Sequence, residues 1–266
     1  MKKSVFMALA AVLVLSADVF ADDALSIVKK SCDLTPPDYS QTVFEADLID
    51  KNGNVTERRD IRQYGNRKND IVSTVFDIRT PASVKDTRIL QAEKKGKSDD
   101  KWIYLPSLKT TRRIAAAERQ KSWVGTDFTY NDMTIRKAED DTHEMLSENA
   151  KVKSNETEVA CWQIKSVPLV NKNVEFAYRI VFYEKVSYLP VRIEYYDKKD
   201  TLFKTQCIEK FAKVQGETGK SYWIRQQVRT TNVETGHSTL VKIMKQVLDK
   251  EISDRYFTQN WLNTGK

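Results

Sequence analysis

The second half of the chain consists of long segments in which apolar and polar residues alternate, separated only by short turns. These segments cover residues 160–167, 174–184, 189–196, 202–213, 220–232 and 238–248. A two-residue repeat places successive side chains on opposite faces of a β-strand, and short connections join neighbouring antiparallel strands. The second half is therefore predicted to fold as an antiparallel meander.

The first half continues this pattern with shorter segments. Further strands are predicted at 42–50, 55–65, 70–80, 87–93 and 101–105. Asn52-Gly53 joins the first two of these strands, and this dipeptide is typical of a tight β-hairpin. Both halves together give roughly ten to twelve strands, and a twisted antiparallel sheet of that size curls strongly toward a barrel.

Helical patterns are few and short. Helices are predicted at 24–32, in part of 115–121, at 130–137 and at 254–262. They suffice for a lid or plug against the sheet but not for a second layer. The expected fold class is therefore mainly β, a strongly curled antiparallel sheet with a few short helices.

The predicted strand 174–184 has apolar side chains on both of its faces. Phe182 belongs to one face, and Val181 and Tyr183 belong to the other. Either helices cover the outer face of the sheet, or apolar groups line the interior of the barrel. Because a barrel of this width is too wide for its own side chains to fill, helices or a ligand must occupy the interior.

The first 21 residues have the features of a secretory signal peptide. Lys2 and Lys3 precede the apolar run 5–17, and Val19-Phe20-Ala21 places small residues where a signal peptidase reads them. The run is shorter than the roughly 20 residues of a membrane-spanning helix. We expect removal of residues 1–21 and export of residues 22–266 as a single domain. Since no cysteine stands at the predicted cleavage point, we expect no lipidation.

The formal net charge of the chain is +7. Its positive residues are interspersed with acidic ones, a pattern typical of a solvated surface. Together with export, this pattern argues against nucleic acid as a partner. Peripheral contact with an anionic membrane and docking to an acidic protein both stay open.

The chain has three cysteines, Cys32, Cys161 and Cys207. At most two of them can pair within the chain, and an oxidising compartment permits a disulfide. A Cys161–Cys207 disulfide and three buried free thiols both remain open.

Residues that would support catalysis or metal binding are scarce. The chain has two histidines, His143 and His237, and neither stands in a zinc-binding spacing. Gly-x-Ser-x-Gly, His-Glu-x-x-His and glycine-rich phosphate loops are absent from the sequence. We therefore expect no enzyme activity, no cofactor and no metal. A hydrolase with unrecognised carboxylates is the weakest alternative.

The segment 101–133 combines aromatic side chains with arginines. Its candidate ligand-contacting residues are Trp102, Tyr104, Trp123, Phe128, Tyr130 and Met133. Large apolar side chains beside positive charge suit a surface that binds an apolar molecule with an anionic end. A structural role stays open for all six, either as strand core or as a plug in the barrel mouth. Arg112 and Arg113 either hold an anionic headgroup or an acidic partner, or end a solvated strand.

Motifs along the chain resemble one known family. They are Trp-Ile-Tyr-Leu-Pro-x-Leu-Lys from Trp102, Arg-Arg-Ile from Arg112, Gly-Thr-Asp-Phe-Thr-Tyr-Asn-Asp from Gly125, Tyr-Leu-Pro-Val-Arg-Ile-Glu-Tyr-Tyr-Asp from Tyr188, and the ending 252–262. In these motifs, residues 22–266 are similar to the outer-membrane lipoprotein-sorting protein family of the LolA/LppX-like superfamily. The resemblance implies one LolA-like domain.

The resemblance also implies a half β-barrel in the periplasm, whose open apolar concavity is closed by helices and holds acyl chains. With such a concavity, Phe182 and Tyr195 join the candidates for contact with the acyl chain. The cargo is either a lipid or a lipoprotein. The family resemblance further implies an inner-membrane lipid exporter as a partner.

The leading hypothesis is a monomeric periplasmic carrier that binds acyl chains and transports lipid or lipoprotein between membranes. The alternative is a non-carrier periplasmic adaptor. In that alternative the concavity is packed solid, and a basic face docks onto a transporter or an anionic polymer.

Overall fold

The computed structural model describes residues 23–69, 71–94, 99–134, 136–170 and 173–266. In these ranges thirteen strands form one antiparallel sheet. The strands are β1 (Tyr39–Ile49), β2 (Val55–Lys68), β3 (Ile71–Ile78), β4 (Arg88–Lys94), β5 (Asp100–Leu105), β6 (Thr110–Arg113), β7 (Asp141–Ser154), β8 (Thr157–Pro168), β9 (Tyr178–Glu184), β10 (Pro190–Tyr196), β11 (Leu202–Gln215), β12 (Ser221–Asn232) and β13 (Ser238–Leu248). The helices are α1 (Ala24–Cys32) and α2 (Gln259–Thr264), with 3₁₀ turns at Ala116–Glu118, Ala138–Asp140 and Asp254–Phe257. The predicted signal peptide, residues 1–21, lies outside the described residues.

Two meanders make up the sheet. Its strand order is β6-β5-β4-β3-β2-β1-β13-β12-β11-β10-β9-β8-β7, so β1 and β13 join the meanders at the centre. The sheet has β6 and β7 as its edges and does not close. The prediction of a mainly β, incompletely closed antiparallel sheet is confirmed.

The predicted hairpin at Asn52-Gly53 is present. The carboxylate of Asp50 accepts hydrogen bonds of 2.9 Å from the backbone N–H groups of Asn52 and Asn54. Gly53 has φ +86°, a value that costs least at glycine because it lacks a Cβ. The local sequence therefore fixes the β1–β2 register.

The sheet curls strongly at its C-terminal end. The Ser154 hydroxyl donates to the Ile208 carbonyl at 2.7 Å, and the Asn155 N–H donates to the Glu209 carbonyl at 2.9 Å. These bonds join the β7–β8 turn to β11, although β8, β9 and β10 separate β7 from β11 in the sheet. The face enclosed by this curl is called the inner face below.

The C-terminal segment covers part of the outer face. Paired side chains from β2 to β5 form an outer row, Tyr64, Val75, Leu90 and Trp102. Trp261 and Leu262 of α2 pack against this row. Burial by α2 explains why these strands are apolar on both faces.

Two predicted elements differ from the structure, and two observed strands were not predicted. The predicted helix 130–137 is wrong, because residues 130–134 form turns and residue 135 lies outside the described residues. The predicted strand 174–184 begins only at Tyr178, and β6 and β7 were not predicted. The sequence of β7 is mostly polar, and its pairing with β8 is interrupted by two register shifts, so it lacks a clear apolar alternation.

The three cysteines are free thiols. Of the two alternatives left open by the sequence, the Cys161–Cys207 disulfide is thus absent. Cys161 is fully buried, and burial raises its pKa to about 12. In the described ranges, no helix has the length and apolarity to cross a membrane.

We predict that Leu262→Ala lowers the free energy of unfolding by about 2–5 kcal/mol, because Leu262 is completely buried and its removal leaves a cavity. Leu108→Ala is the control, since Leu108 is 65% exposed, and it should change stability by less than about 0.5 kcal/mol. Urea unfolding of both variants measures the difference. Equal stabilities would show that α2 does not contribute to the folded sheet.

Candidate ligand-binding site

A cavity of about 1380 Å³ lies on the inner face of the sheet. Its apolar lining includes Phe44, Val181, Ile193, Trp223, Ile243 and Leu248. Gln246, Thr42 and Gln63, paired across β13, β1 and β2, add a polar row. The lining is therefore mixed, whereas the family resemblance implied an apolar concavity. The volume exceeds the roughly 300–1,000 Å³ typical of small-molecule pockets.

Helix α1 covers one side of the cavity. Asp23 caps it by accepting a hydrogen bond of 2.7 Å from the N–H of Ser26. Ile27 and Val28 are buried and pack in one cluster with Val181 and Ile193. The apolar face of α1 therefore lies on the inner face of the C-terminal meander.

The segment 115–134, called the plug segment below, covers the inner face of the N-terminal meander. Its residues Trp123, Phe128 and Tyr130 are buried in a cluster with inner-face side chains of β1–β5. The Trp123 ring packs edge-on against Phe76, with 5.4 Å between ring centroids. The plug segment thus fills one end of the concavity with its own aromatic side chains.

Hydrogen bonds hold the plug segment in place. Arg59 donates to the Val124 carbonyl at 2.6 Å, where Val124 and Gly125 both have positive φ. The Asp127 carboxylate accepts a hydrogen bond of 2.6 Å from the Thr239 hydroxyl and lies 2.8 Å from His237 Nδ1. These contacts tie the Gly-Thr-Asp-Phe motif to the β12–β13 hairpin, and we call the Asp127–His237–Thr239 group the latch.

A buried charge cluster fixes the far end of the plug segment. Lys204 Nζ lies 3.0 Å from Asp132 and 2.8 Å from Glu175, and the Tyr195 hydroxyl donates to Asp132 at 3.2 Å. Burial would raise the pKa of Glu175, but the charge of Lys204 and its hydrogen bond lower it below the usual value. Glu175 therefore stays ionised, and the cluster is a paired anchor.

A second buried charge group borders the cavity beside α1. The Asp141 carboxylate accepts hydrogen bonds from Arg136 and Arg179, each at 2.8 Å, and its side chain is 1% exposed. Burial would raise the pKa of Asp141, but the two guanidinium groups lower it below the usual value. Asp141 is therefore charged at neutral pH and is shared by two arginines.

Two of the predicted ligand-contacting residues, Met133 and Tyr195, line the cavity. The plug residues Trp123, Phe128 and Tyr130 contact the N-terminal meander. Their burial corresponds to the structural alternative left open by the sequence.

The other predicted residues lie away from the cavity lining. Trp102 and Tyr104 pack in the outer-face cluster with α2. Phe182 packs beside Cys161 in a separate cluster on the face opposite Val181. Arg112 is half exposed and lies 2.8 Å from Glu118, and Arg113 pairs with Asp100.

Sequence reasoning missed the polar side chains that line the cavity, among them Arg179, Gln206 and Arg225. A two-residue repeat groups Gln206 with Ile208 on one face of a strand, but it does not say which face of the sheet curls inward. The signal available in the sequence was a set of polar residues at apolar-face positions of long strands.

Comparisons with known proteins agree with the fold. Residues 71–264 match a family model with the description "Uncharacterized protein". A DUF1329 family protein from Desulfovibrio piger has 19% identity and a TM-score of 0.77, covering 90% of this chain and 97% of its own. A domain assigned as an outer membrane lipoprotein-sorting protein from Vibrio parahaemolyticus has 25% identity and a TM-score of 0.74. The alignment covers 90% of this chain and 98% of that domain. A LolA superfamily protein from Nitrosomonas europaea has 17% identity and a TM-score of 0.61. The alignment covers 91% of this chain and 100% of that protein. Among curated proteins, none matches this sequence.

We predict that Asp141→Asn lowers the free energy of unfolding at pH 7 by about 3–5 kcal/mol, because it leaves two buried arginines without a counter-charge. Since the folded-state pKa of Asp141 is lowered, its contribution is complete above the unfolded value of about 3.9 and is lost as the pH falls through the folded value. The difference between wild type and variant should therefore shrink below about pH 4. Urea unfolding at a series of pH values measures this.

Glu158→Gln is the control for Asp141→Asn. Glu158 forms an ion pair with Lys151 at 3.5 Å, and both side chains are 69% exposed. Its loss should cost less than about 1 kcal/mol. A cost for Asp141→Asn no larger than that of the control would contradict the anchoring role of Asp141.

Proposed function

We propose that this chain, which belongs to the family described as "Uncharacterized protein" and shares its fold with outer membrane lipoprotein-sorting and LolA superfamily proteins, is a periplasmic carrier. It binds the acyl chains of a lipid or lipoprotein in the inner-face cavity and carries them between membranes without chemical change. It is not an enzyme under this proposal and uses neither cofactor nor metal. The observation that supports the proposal most directly is the open cavity of about 1380 Å³ in an unclosed sheet.

The size of the cavity favours the carrier over the adaptor. The adaptor hypothesis requires a concavity filled by the protein's own side chains. Here the plug segment and α1 cover the two sides, while the floor formed by β9–β13, β1 and β2 contributes to the cavity lining. A surface that only docked onto a transporter would gain nothing from this space.

Transfer of an acyl chain out of water provides ample affinity. Each buried methylene contributes roughly 0.8 kcal/mol, so ten methylenes contribute about 8 kcal/mol. Release is then the difficult step, and it requires an acceptor or a movement that opens the cavity. We assign this movement to the plug segment, whose latch consists of three side chains.

The proposal includes the cellular setting that the sequence suggested. Export by the signal peptide at residues 1–21 would bring the carrier to the periplasm as a monomer. An inner-membrane lipid exporter would load it, with peripheral contact at the membrane surface and no role for nucleic acid. Met133 and Tyr195 are the predicted residues that we retain as contacts of the acyl chain, because both line the cavity.

We predict that the protein purified from its native periplasm contains lipid or lipoprotein acyl chains, detected by native mass spectrometry and solvent extraction. Ile243→Trp should reduce uptake of a fluorescent fatty acid at least several-fold, because the larger ring fills space on the cavity floor. Met244→Trp is the matched control, since Met244 follows Ile243 in β13 but is 60% exposed and absent from the lining. A folded protein that contains no lipid and takes up none would refute the carrier.

We predict that Asp127→Ala accelerates release of a bound fluorescent fatty acid to acceptor vesicles several-fold, because it removes the carboxylate at the centre of the latch. Stopped-flow fluorescence measures the rate. Asp60→Ala is the control, since Asp60 is exposed on β2 between the inner-face residues Arg59 and Ile61. Unchanged release from Asp127→Ala, despite a lowered unfolding temperature, would show that the plug segment is not the gate.

A further inference from the structure

The cations that border the cavity differ in their partners. Arg136 and Arg179 share Asp141, Arg119 pairs with Asp99, and Lys220 lies 2.8 Å from Asp38. Each of these cations therefore has a carboxylate partner within the protein, although each carboxylate is shared by two cations.

Lys137, exposed just before the 3₁₀ turn at Ala138–Asp140, also lines the cavity without an ion-pair partner among the described residues. Arg225 lies on β12 in the floor of the cavity and has no such partner either. Within the described ranges its side chain makes no hydrogen bond, and no carboxylate lies within ion-pair distance of it. Its side chain is exposed, and what it is exposed to is the cavity. An arginine offers five N–H donors, so this position presents unused donors to whatever occupies the cavity.

The surroundings of Arg225 make an unbalanced charge costly. Desolvation by the surrounding cavity wall lowers the pKa of Arg225, and the groups that oppose this effect are Tyr195 and Tyr183, not carboxylates. Moving a cation away from bulk water without a counter-ion is unfavourable. A bound anion would remove that cost and form charge-assisted hydrogen bonds, which are stronger than neutral ones.

Tyr183 adds a second donor beside Arg225. Its ring is buried in the cluster under α1, whereas its hydroxyl makes no hydrogen bond to another described residue. Tyr183 lines the cavity, and its pKa, which burial raises, is lowered in part by the positive charges of Arg179 and Arg225. A guanidinium and a phenolic O–H together suit the oxygens of a carboxylate or a phosphate.

Apolar side chains continue the site away from these donors. Trp223 stands two residues before Arg225 on the same strand, so both side chains point to one face. Ile193 and Val181, on the strands paired in order beside β11, extend the apolar lining. A polar end with positive charge and an apolar continuation match an amphiphile rather than a hydrocarbon or a free ion.

We propose that the cavity binds an amphiphile with an anionic carboxylate or phosphate headgroup, which pairs with Arg225 while its acyl chain lies along the apolar lining. This inference rests on the carrier function proposed above. It narrows the cargo to lipids that have a carboxylate or phosphate headgroup and an acyl chain. Arg225 is the specificity-determining residue, because neutral amphiphiles leave its charge unbalanced.

The test compares ligands that share one chain and differ in the head. Dodecyl phosphate, dodecanoate and dodecanol displace a neutral fluorescent probe, N-phenyl-1-naphthylamine, from wild type and from Arg225→Gln. Wild type should bind the two anions at least about tenfold more tightly than the alcohol, a difference typical of a charged hydrogen bond. Arg225→Gln should lose this preference and bind dodecanol as well as wild type does.

Two controls accompany the displacement assay. Lys245→Gln removes one charge from an exposed position on β13 outside the cavity lining, and it should retain the anion preference. Thermal unfolding separates binding from folding, because an unpartnered arginine can be replaced without loss of stability. Arg225→Gln should therefore unfold at the wild-type temperature or above it, whereas a structural arginine would lower that temperature.

The outcomes separate this inference from the carrier function. If wild type binds the anions and dodecanol equally, or if Arg225→Gln keeps the preference, the headgroup inference is overturned and the carrier stands. If wild type binds none of the three ligands and not the probe, both fail. If inorganic phosphate alone displaces dodecyl phosphate at similar concentrations, the site is one for free phosphate, and the amphiphile is overturned.

Discussion

The apolar inner face of an unclosed sheet must be shielded from water. The elements that cover it determine where the cavity lies and which residues line it. Thirteen strands curl without meeting at their edges, so apolar inner side chains from Ile61 to Ile193 would face water. Leaving a large apolar surface exposed costs free energy in proportion to its area. The plug segment covers the N-terminal meander and α1 covers the C-terminal one. The plug segment reaches β13 only at its start, near Thr239, whereas Ile243 and Leu248 farther along this strand line the cavity that is left between the plug segment and α1.

Buried ion pairs hold the segments that border the cavity in position. Lys204 holds the end of the plug segment through Asp132, and Asp141 holds the turn between the plug segment and β7 through Arg136. Every charge in both groups has a partner of opposite sign, so the groups hold these segments in position. Arg225 lines the same cavity. However, this proposed headgroup contact differs from the two groups in having no carboxylate partner within the described residues.

Much of the fold could be predicted from the sequence, and less of the site. β12 and β13 were evident because long alternation with short turns leaves few other structures, and Asn52-Gly53 specified its own hairpin. β7 was missed because an edge strand with one wet face needs few apolar residues. Alternation groups Trp102 with Tyr104 but does not say which face of the sheet curls inward, so their position under α2 could not be foreseen. The choice of face is made by long-range curvature, which no local pattern encodes.

The chain between β6 and β7 has a mechanical consequence. It leaves the sheet at one edge, after Arg113, and re-enters at the opposite edge, at Asp141. A covalent tether therefore spans the mouth of the half-barrel, and its contour length sets the greatest separation of the two edges. Unfastening the plug segment lets the mouth widen only until this tether is taut. The greatest width of the open half-barrel is thus limited by the length of a peptide as well as by the packing of side chains.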